Sequence, residues 1–336
     1  MEQAYLVLED GTVFAGTRIG ASGDAVGELV FTTGMVSYLE TLTDPACYGQ
    51  LVVQTFPMIG NYGVMEEDFE GDFGAAGYIV RELCPSPSNF RCQYPLDELL
   101  KKRNIPGICG LDTRELTAIL REKGTMNAIL CSQVPEDLSF VKTYRVPTDV
   151  TPCKEPTVLP GDGSYHVGII ELGGKRSVHT ALQKAGCAVT LLPMDTKDVS
   201  SFDALVISGG PGDPNEYQML IEALSGWIGT LPIMGIGLGH ELLALAQGGT
   251  CLSLHHGHRG DNQPVRDLRT GKTLVTTQNH GYHVVAESLM GVGLELFRNA
   301  YDDTCEGLEY PGKRCFSLQF DPDEQAYSRF LSMIGG

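Results

Sequence analysis

The sequence predicts an α/β protein in two parts: a mixed α+β domain over residues 1–145, then, over 166–336, a mostly parallel sheet flanked by helices, with a linker at 146–165. Three observations carry this expectation. From His166 onward, apolar strand-like runs alternate with segments of helical period, the pattern of a parallel sheet covered on both faces. Residues 231–249, LPIMGIGLGHELLALAQGG, join a strand to a helix through Gly235-Ile236-Gly237-Leu238-Gly239. That is the form of a nucleophile elbow, whose flanking glycines let strand and helix pack closely. Between the halves, Pro147, Pro152, Pro156, Pro160, Gly161 and Gly163 cluster without apolar periodicity, which reads as a linker.

In chain order, the first half is β-rich. Apolar runs at 6–8 and 13–14 flank Glu9-Asp10-Gly11, and Asp-Gly between such runs signals a hairpin. Further strands are expected at 29–31 and 51–53, and helices at 97–103 and 113–123, the second stopped by Gly124. In the second half, strands are expected at 166–171, 188–192, 204–208 and 231–236. Helices are expected at 175–185 and 217–228, with another opening at Leu238 and stopped by Gly248 and Gly249. Ligands on such sheets bind beyond the carboxyl ends of the strands, where the elbow lies. The elbow tip should carry a nucleophile, yet it is Gly237.

At 336 residues the chain can hold two cores, and 42% hydrophobic with 20% charged residues is ordinary for a globular protein. A net charge of -18 argues against nucleic acid or an anionic membrane surface as a partner. No run of about 18 apolar residues suggests a membrane span, and the first residues lack the basic start of a usual signal peptide. The 10 cysteines include no C-x-x-C pair, so reduced core thiols in a cytoplasmic protein are expected. No cofactor motif is complete. Residues 307–314, GLEYPGKR, approximate a phosphate loop but lack the Ser or Thr after Lys313.

Several phrases of the first half, LVLEDGTVF, VGELVFTTGM, YLETLTDPACYGQ, PMIGNYG, SNFR and GLDTRELTAILREKGTMNA, resemble the N-terminal domain of the carbamoyl-phosphate synthetase small subunit in order and spacing. The resemblance implies that this half docks on the large synthetase subunit, as a heterodimer. The second half resembles the class I, or triad, glutamine amidotransferase domain. Gly209-Gly210-Pro211-Gly212-Asp213-Pro214 looks like its G-P-G-D-P turn, which holds glutamine through the backbone. Gln278-Asn279-His280-Gly281-Tyr282 looks like its substrate-contacting loop. The segment His256-Gly257-His258-Arg259-Gly260 matches a loop of the same family, so His255, His256 and His258 read as structural and no metal ligand is assigned. The glutamine-binding positions implied are Ala46, Gly210, Gly212, Leu238, Glu241, Asn279, Gly281 and Tyr282.

Hydrolysing an amide through a thioester needs a thiolate, a histidine to activate it and a carboxylate to orient that histidine. The positions matching the family's cysteine, histidine and glutamate are Gly237, Asp321 and Asp323, all substituted. Ala46 stands where the family has a serine, and Glu241 where it has a glutamine. The expectation is therefore a small subunit that no longer hydrolyses glutamine and supports an ammonia-using large subunit, with glutamine at most a non-hydrolysed ligand. The alternatives are an active glutaminase with displaced groups, or a free-standing glutamine-binding or scaffold protein; Cys251 and Cys187 lie neither at an elbow nor beside a histidine and read as buried core thiols rather than substitute nucleophiles. Glu241, Asp321 and Asp323 could also meet as a cation or ammonium site, although a solvated acidic cleft is the plainer reading.

Overall fold

The structure, a computed structural model, describes residues 2–72, 74–148 and 153–335, so Pro152 of the expected linker lies outside the described residues. The chain divides into two compact units, Met1–Pro147 with His255–Asp261, and Thr148–Leu254 with Asn262–Gly336.

In the first unit, strands Gln3–Leu8 and Val13–Gly20 form the hairpin that Asp10-Gly11 signals, with Leu6 opposite Phe14. Gly11 turns the chain at φ 92, where a side chain would be strained. These strands belong to a closed barrel in the order Gln3–Leu8, Val13–Gly20, Pro106–Cys109, Gly77–Val80, Gln50–Gln54, Ala25–Thr32, Met126–Cys131. Met126–Cys131 closes it by pairing antiparallel with both Gln3–Leu8 and Ala25–Thr32. Period-two alternation divides the strand residues between two cores. Leu29, Leu51, Val53 and Ile79 pack with Leu116 and Leu120 of helix Thr113–Lys123. Val30, Val52, Tyr78 and Val80 pack with Leu96, Leu99 and Leu100 of helix Leu96–Lys102. Asp112 caps the longer helix by accepting from the N–H groups of Arg114 and Glu115.

The second unit is built on a ten-stranded sheet in the order Thr157–Val158, Cys187–Leu192, Tyr165–Ile170, Ala204–Ile207, Ile233–Ile236, Cys315–Leu318, Cys305–Tyr310, Thr273–Val284, Cys251–Asp267, Leu294–Asn299. The strands from Cys187–Leu192 through Cys315–Leu318 run parallel. Antiparallel strands extend the sheet on the far side. Within the stretch read as linker, Thr157–Val158 pairs antiparallel with Cys187–Leu192 as an edge strand. Both faces of the parallel part are covered. Leu205, Ile207 and Ile233 pack against helices Gln218–Trp227 and Leu238–Ala246. Ala204, Val206 and Met234, one residue out of phase, pack against Arg176–Lys184 and Glu324–Gly335. Residues 307–314 form a hairpin between Cys305–Tyr310 and Cys315–Leu318, with Tyr310 opposite Cys315, so they open no helix and make no phosphate loop.

Tyr165–Ile170 has the next strand in sequence, Cys187–Leu192, on one side and the one after it, Ala204–Ile207, on the other. The order therefore reverses there, and the loops after Ile170 and Ile207 leave neighbouring strand ends at the kind of switch point where ligands bind. Among the described residues no helix is long and apolar enough to cross a membrane.

Candidate functional site

The elbow has the geometry its glycines predict. Gly237 takes φ 55 and ψ -115 between strand Ile233–Ile236 and helix Leu238–Ala246. Its N–H donates to Leu318 O at 2.9 Å, which ties the turn to the neighbouring parallel strand. The flanking glycines are needed for close approach. A Cβ on Gly239 would lie 2.1 Å from Ile207 O, and one on Gly235 would lie 2.6 Å from Gly239 O. Gly237 differs: a Cβ there would meet nothing nearer than Gly209 Cα at 3.6 Å. The tip has room for a side chain and holds none.

Two loops lie against the elbow. Ser208 Oγ accepts from Leu172 N–H at 2.8 Å, and Ser208 O accepts from Gly239 N–H at 3.1 Å. A Cβ on Gly210 would come within 2.6 Å of Leu172 O and 3.0 Å of Leu238 Cδ2, so the backbone itself fills this corner. Gly212 turns at φ 88, and Tyr217 pins the turn by donating its hydroxyl to Pro211 O at 2.8 Å.

Behind the elbow, adjacent helix residues bury two ionisable groups against strand Cys315–Leu318 and the residue that follows it. His240 is fully buried with Nδ1 2.8 Å from Ser317 Oγ, and desolvation pushes the imidazole down to about 3. Glu241 accepts from Gln319 Nε2 at 3.0 Å. Burial pushes its carboxyl up to about 8, only partly offset by that hydrogen bond. Glu241 is therefore a buried carboxyl whose neutral form is favoured, and not part of a solvated acidic cleft.

Asp321 and Asp323 have other partners. Lys175, entering helix Arg176–Lys184, reaches Asp321 Oδ2 at 2.7 Å. Asp323 Oδ1 accepts from Ala326 N–H at 2.9 Å and so caps helix Glu324–Gly335. Among the described residues, Glu241, Asp321 and Asp323 do not come together as a ligand set for an ion. Near Lys175 is a pair that sequence reasoning missed. Buried Glu171 receives Gly173 and Gly174 N–H on Oε1 and faces His179 Nε2 at 2.8 Å through Oε2.

The residues matched to the substrate loop lie on strand Thr273–Val284, where alternation buries Gln278 and His280 and leaves Asn279, Gly281 and Tyr282 half-buried. Gln278 Nε2 donates to Glu306 Oε2 at 3.0 Å, and Asn299 Nδ2 donates to Glu306 Oε1 at 3.0 Å. Glu306 and Asn299 carry no motif, and no sequence signal pointed to them. Ala46 belongs to the first unit, in the turn Pro45–Cys47, where its N–H donates to Asp44 Oδ1 at 2.9 Å. In the same unit His255 Nε2 lies 3.2 Å from Glu122 O, and the His256 ring lies 5.6 Å from that of Phe31. Cys251 and Cys187 are both buried, with their thiols pushed up by desolvation, the opposite of what activates a nucleophile.

Comparison with known proteins places these features in context. Residues 6–130 match the family profile "Carbamoyl-phosphate synthase small chain, CPSase domain", and residues 169–329 match "Glutamine amidotransferase class-I". The carbamoyl phosphate synthase small chain of Listeria monocytogenes is 40% identical over 357 aligned positions, covering 100% of this chain and 98% of the relative. That of Methanosarcina acetivorans is 43% identical, with 99% of each chain covered. That of Bacillus cereus is 41% identical, covering 98% and 95%.

Proposed function

The chain belongs to the carbamoyl-phosphate synthase small-chain family, and on that premise we propose that it is a small subunit that has lost glutamine hydrolysis and serves as a structural partner of an ammonia-using large subunit. One observation carries the reading: the elbow tip is a glycine with open space beside it. Thioester chemistry has no nucleophile to begin with. The two other matched positions support the same reading, since Asp321 is engaged by Lys175 and Asp323 by the C-terminal helix. The backbone corner at Gly210 and Gly212, with Leu238, Asn279, Gly281 and Tyr282, would still frame a glutamine-shaped ligand without cleaving it. The first unit, with Ala46 where a substrate-contacting serine is expected, would supply the docking surface of a cytoplasmic heterodimer.

The test is reconstitution. The full chain, mixed with the large subunit, is assayed for carbamoyl phosphate with glutamine or with ammonium chloride as nitrogen donor. Ammonia-dependent synthesis without glutamine-dependent synthesis is the expected result. Steady glutamine turnover by the complex overturns the loss of hydrolysis, and failure of the two chains to associate overturns the subunit role.

A further inference from the structure

We infer that the Lys175–Asp321 ion pair is a latch laid across the mouth of the elbow, so that the open space at Gly237 is reached from solvent only when the pair parts, a property of the second unit alone that does not depend on the subunit role. The two ends of the latch come from loops that follow strands of the same sheet. Strand Tyr165–Ile170 runs out into Glu171-Leu172-Gly173-Gly174-Lys175, and strand Cys315–Leu318 into Gln319-Phe320-Asp321. These strands are not neighbours.

Ala204–Ile207 and Ile233–Ile236 lie between them, all running parallel, with Ile170 beside Ile207, Ile207 beside Gly235 and Ile236 beside Leu318. The carboxyl ends therefore form one edge, with Ser208, Gly209 and Gly237 in the middle and Lys175 and Asp321 arriving from the two flanks. For Lys175 Nζ to lie 2.7 Å from Asp321 Oδ2, the pair has to cross those middle ends. The lysine supplies the reach, because its apolar stem can cover surface while its head stays charged. The stem starts beside Ser208, since a Cβ on the preceding Gly174 would lie 2.9 Å from Ser208 Cβ. A Cβ on Gly237 would point at the next residue, 3.6 Å from Gly209 Cα. Tip and latch thus share the Ser208-Gly209 corner.

Both ends are held by the framework. Gly173 turns the first loop at φ 130, which a side chain would not tolerate without strain. Its N–H and that of Gly174 donate to Glu171 Oε1, while Glu171 Oε2 faces His179 Nε2 at 2.8 Å. Leu172 N–H donates to Ser208 Oγ at 2.8 Å, which docks the same loop on the next strand. At the other end, Asp321 N–H donates to Thr277 O at 3.1 Å, and Asp323 caps the helix that follows. Ends ordered in advance lose little further freedom when the pair closes, so even a partly exposed pair keeps the latch shut most of the time. Whatever reaches the tip from solvent has to displace Lys175 from Asp321.

The test uses the full chain carrying Gly237→Cys, labelled either with a bulky maleimide or with methyl methanethiosulfonate and read by mass spectrometry of the peptide holding position 237. The ratio of the two rates cancels the thiolate fraction, which a nearby ammonium changes by itself. Adding Asp321→Asn should raise that ratio about two- to fivefold, and adding Lys175→Ala, which removes the stem as well, at least about as much. Lys184→Ala, at the far end of the same helix, should leave it unchanged. Sodium chloride at about 0.5 M should raise the ratio in Gly237→Cys alone and not in the Lys175→Ala background. A ratio that Lys175→Ala does not change overturns the latch. Should Gly237→Cys fail to fold, amide exchange reports the same opening without it. Lys175→Ala should then speed exchange at Gly237 and Leu238 by about two- to fivefold, while Leu242 and Leu243, further along the helix, keep wild-type rates. Equal acceleration along the whole helix, or none at Gly237 and Leu238, overturns the latch and leaves the pair as a contribution to stability only.

Discussion

Lys175 Nζ lies 2.7 Å from Asp321 Oδ2, an ion pair joining residues 146 apart in the chain. It connects the first loop at the switch point to the segment that follows strand Cys315–Leu318. The carboxylate is 38% exposed and the ammonium 16%, so solvent screens much of the attraction. A double-mutant cycle of Lys175→Met and Asp321→Asn should give a coupling of about 0.5–1 kcal/mol in urea unfolding, weaker at 0.5 M salt. Zero coupling at low salt would show that the pair does no more than share a surface.

Gly237 and Gly239 should respond differently to alanine. At Gly237 only the backbone objects, since φ is 55 while the space is open, so Gly237→Ala should destabilise by about 1–3 kcal/mol. At Gly239 the new methyl meets Ile207 O at 2.1 Å, and strand and helix must separate. Gly239→Ala should lose more stability than Gly237→Ala in parallel denaturation curves, and the reverse order would mean the elbow packs differently. Gly237→Cys should also fold, yet release no ammonia from glutamine, because a carboxylate held by Lys175 does not replace an imidazole that titrates near neutrality. Full turnover from that single change would show that the triad positions have been misassigned.

Glu241 makes stability depend on pH in a definite direction. Its folded carboxyl is raised from the ordinary 4.5 to about 8, so in that window the native state keeps a proton that the unfolded chain releases. The favourable contribution is complete below about pH 4.5, shrinks as pH rises and is gone above about 8. Glu241→Gln keeps an acceptor for Gln319 and removes the titration. The stability gain of the variant over wild type should grow between those limits and then level off. A difference independent of pH would show that Glu241 is ionised in the folded protein.

Asp323→Ala removes the acceptor of Ala326 N–H and should cost about 1 kcal/mol. Helix Glu324–Gly335 packs through Ala326 and Phe330, so the loss should appear as faster amide exchange in its first turn. Unchanged exchange there would deny the cap.

Much of this was legible in the sequence. The helix at 113–123 is found as Thr113–Lys123, and the hairpin at Asp10-Gly11 and the glycine spacing of the elbow are where local chemistry dictates them. Turn residues and periodicity act over a few positions, and that is why they can be read. Barrel closure by Met126–Cys131 is a choice of partner, and no period encodes it. The antiparallel strands beyond Cys315–Leu318 lack the strand-helix alternation that marks the parallel part. The Lys175–Asp321 pair and the Glu171–His179 pair each depend on where a loop ends in space. The same limit applies to Glu241, Asp321 and Asp323: composition shows three acids, and only the fold shows that one is buried and the others are engaged.

The cap at Asp323 and the bridge at Asp321 also tie both carboxylates into the framework around the elbow. A histidine at 321 removes the carboxylate that Lys175 reaches, and a longer acid at 323 must find a new route to the helix N-terminus. Each such change, taken alone, subtracts from the fold. The tip can thus take a side chain at once, whereas Asp321 and Asp323 are part of the framework around it.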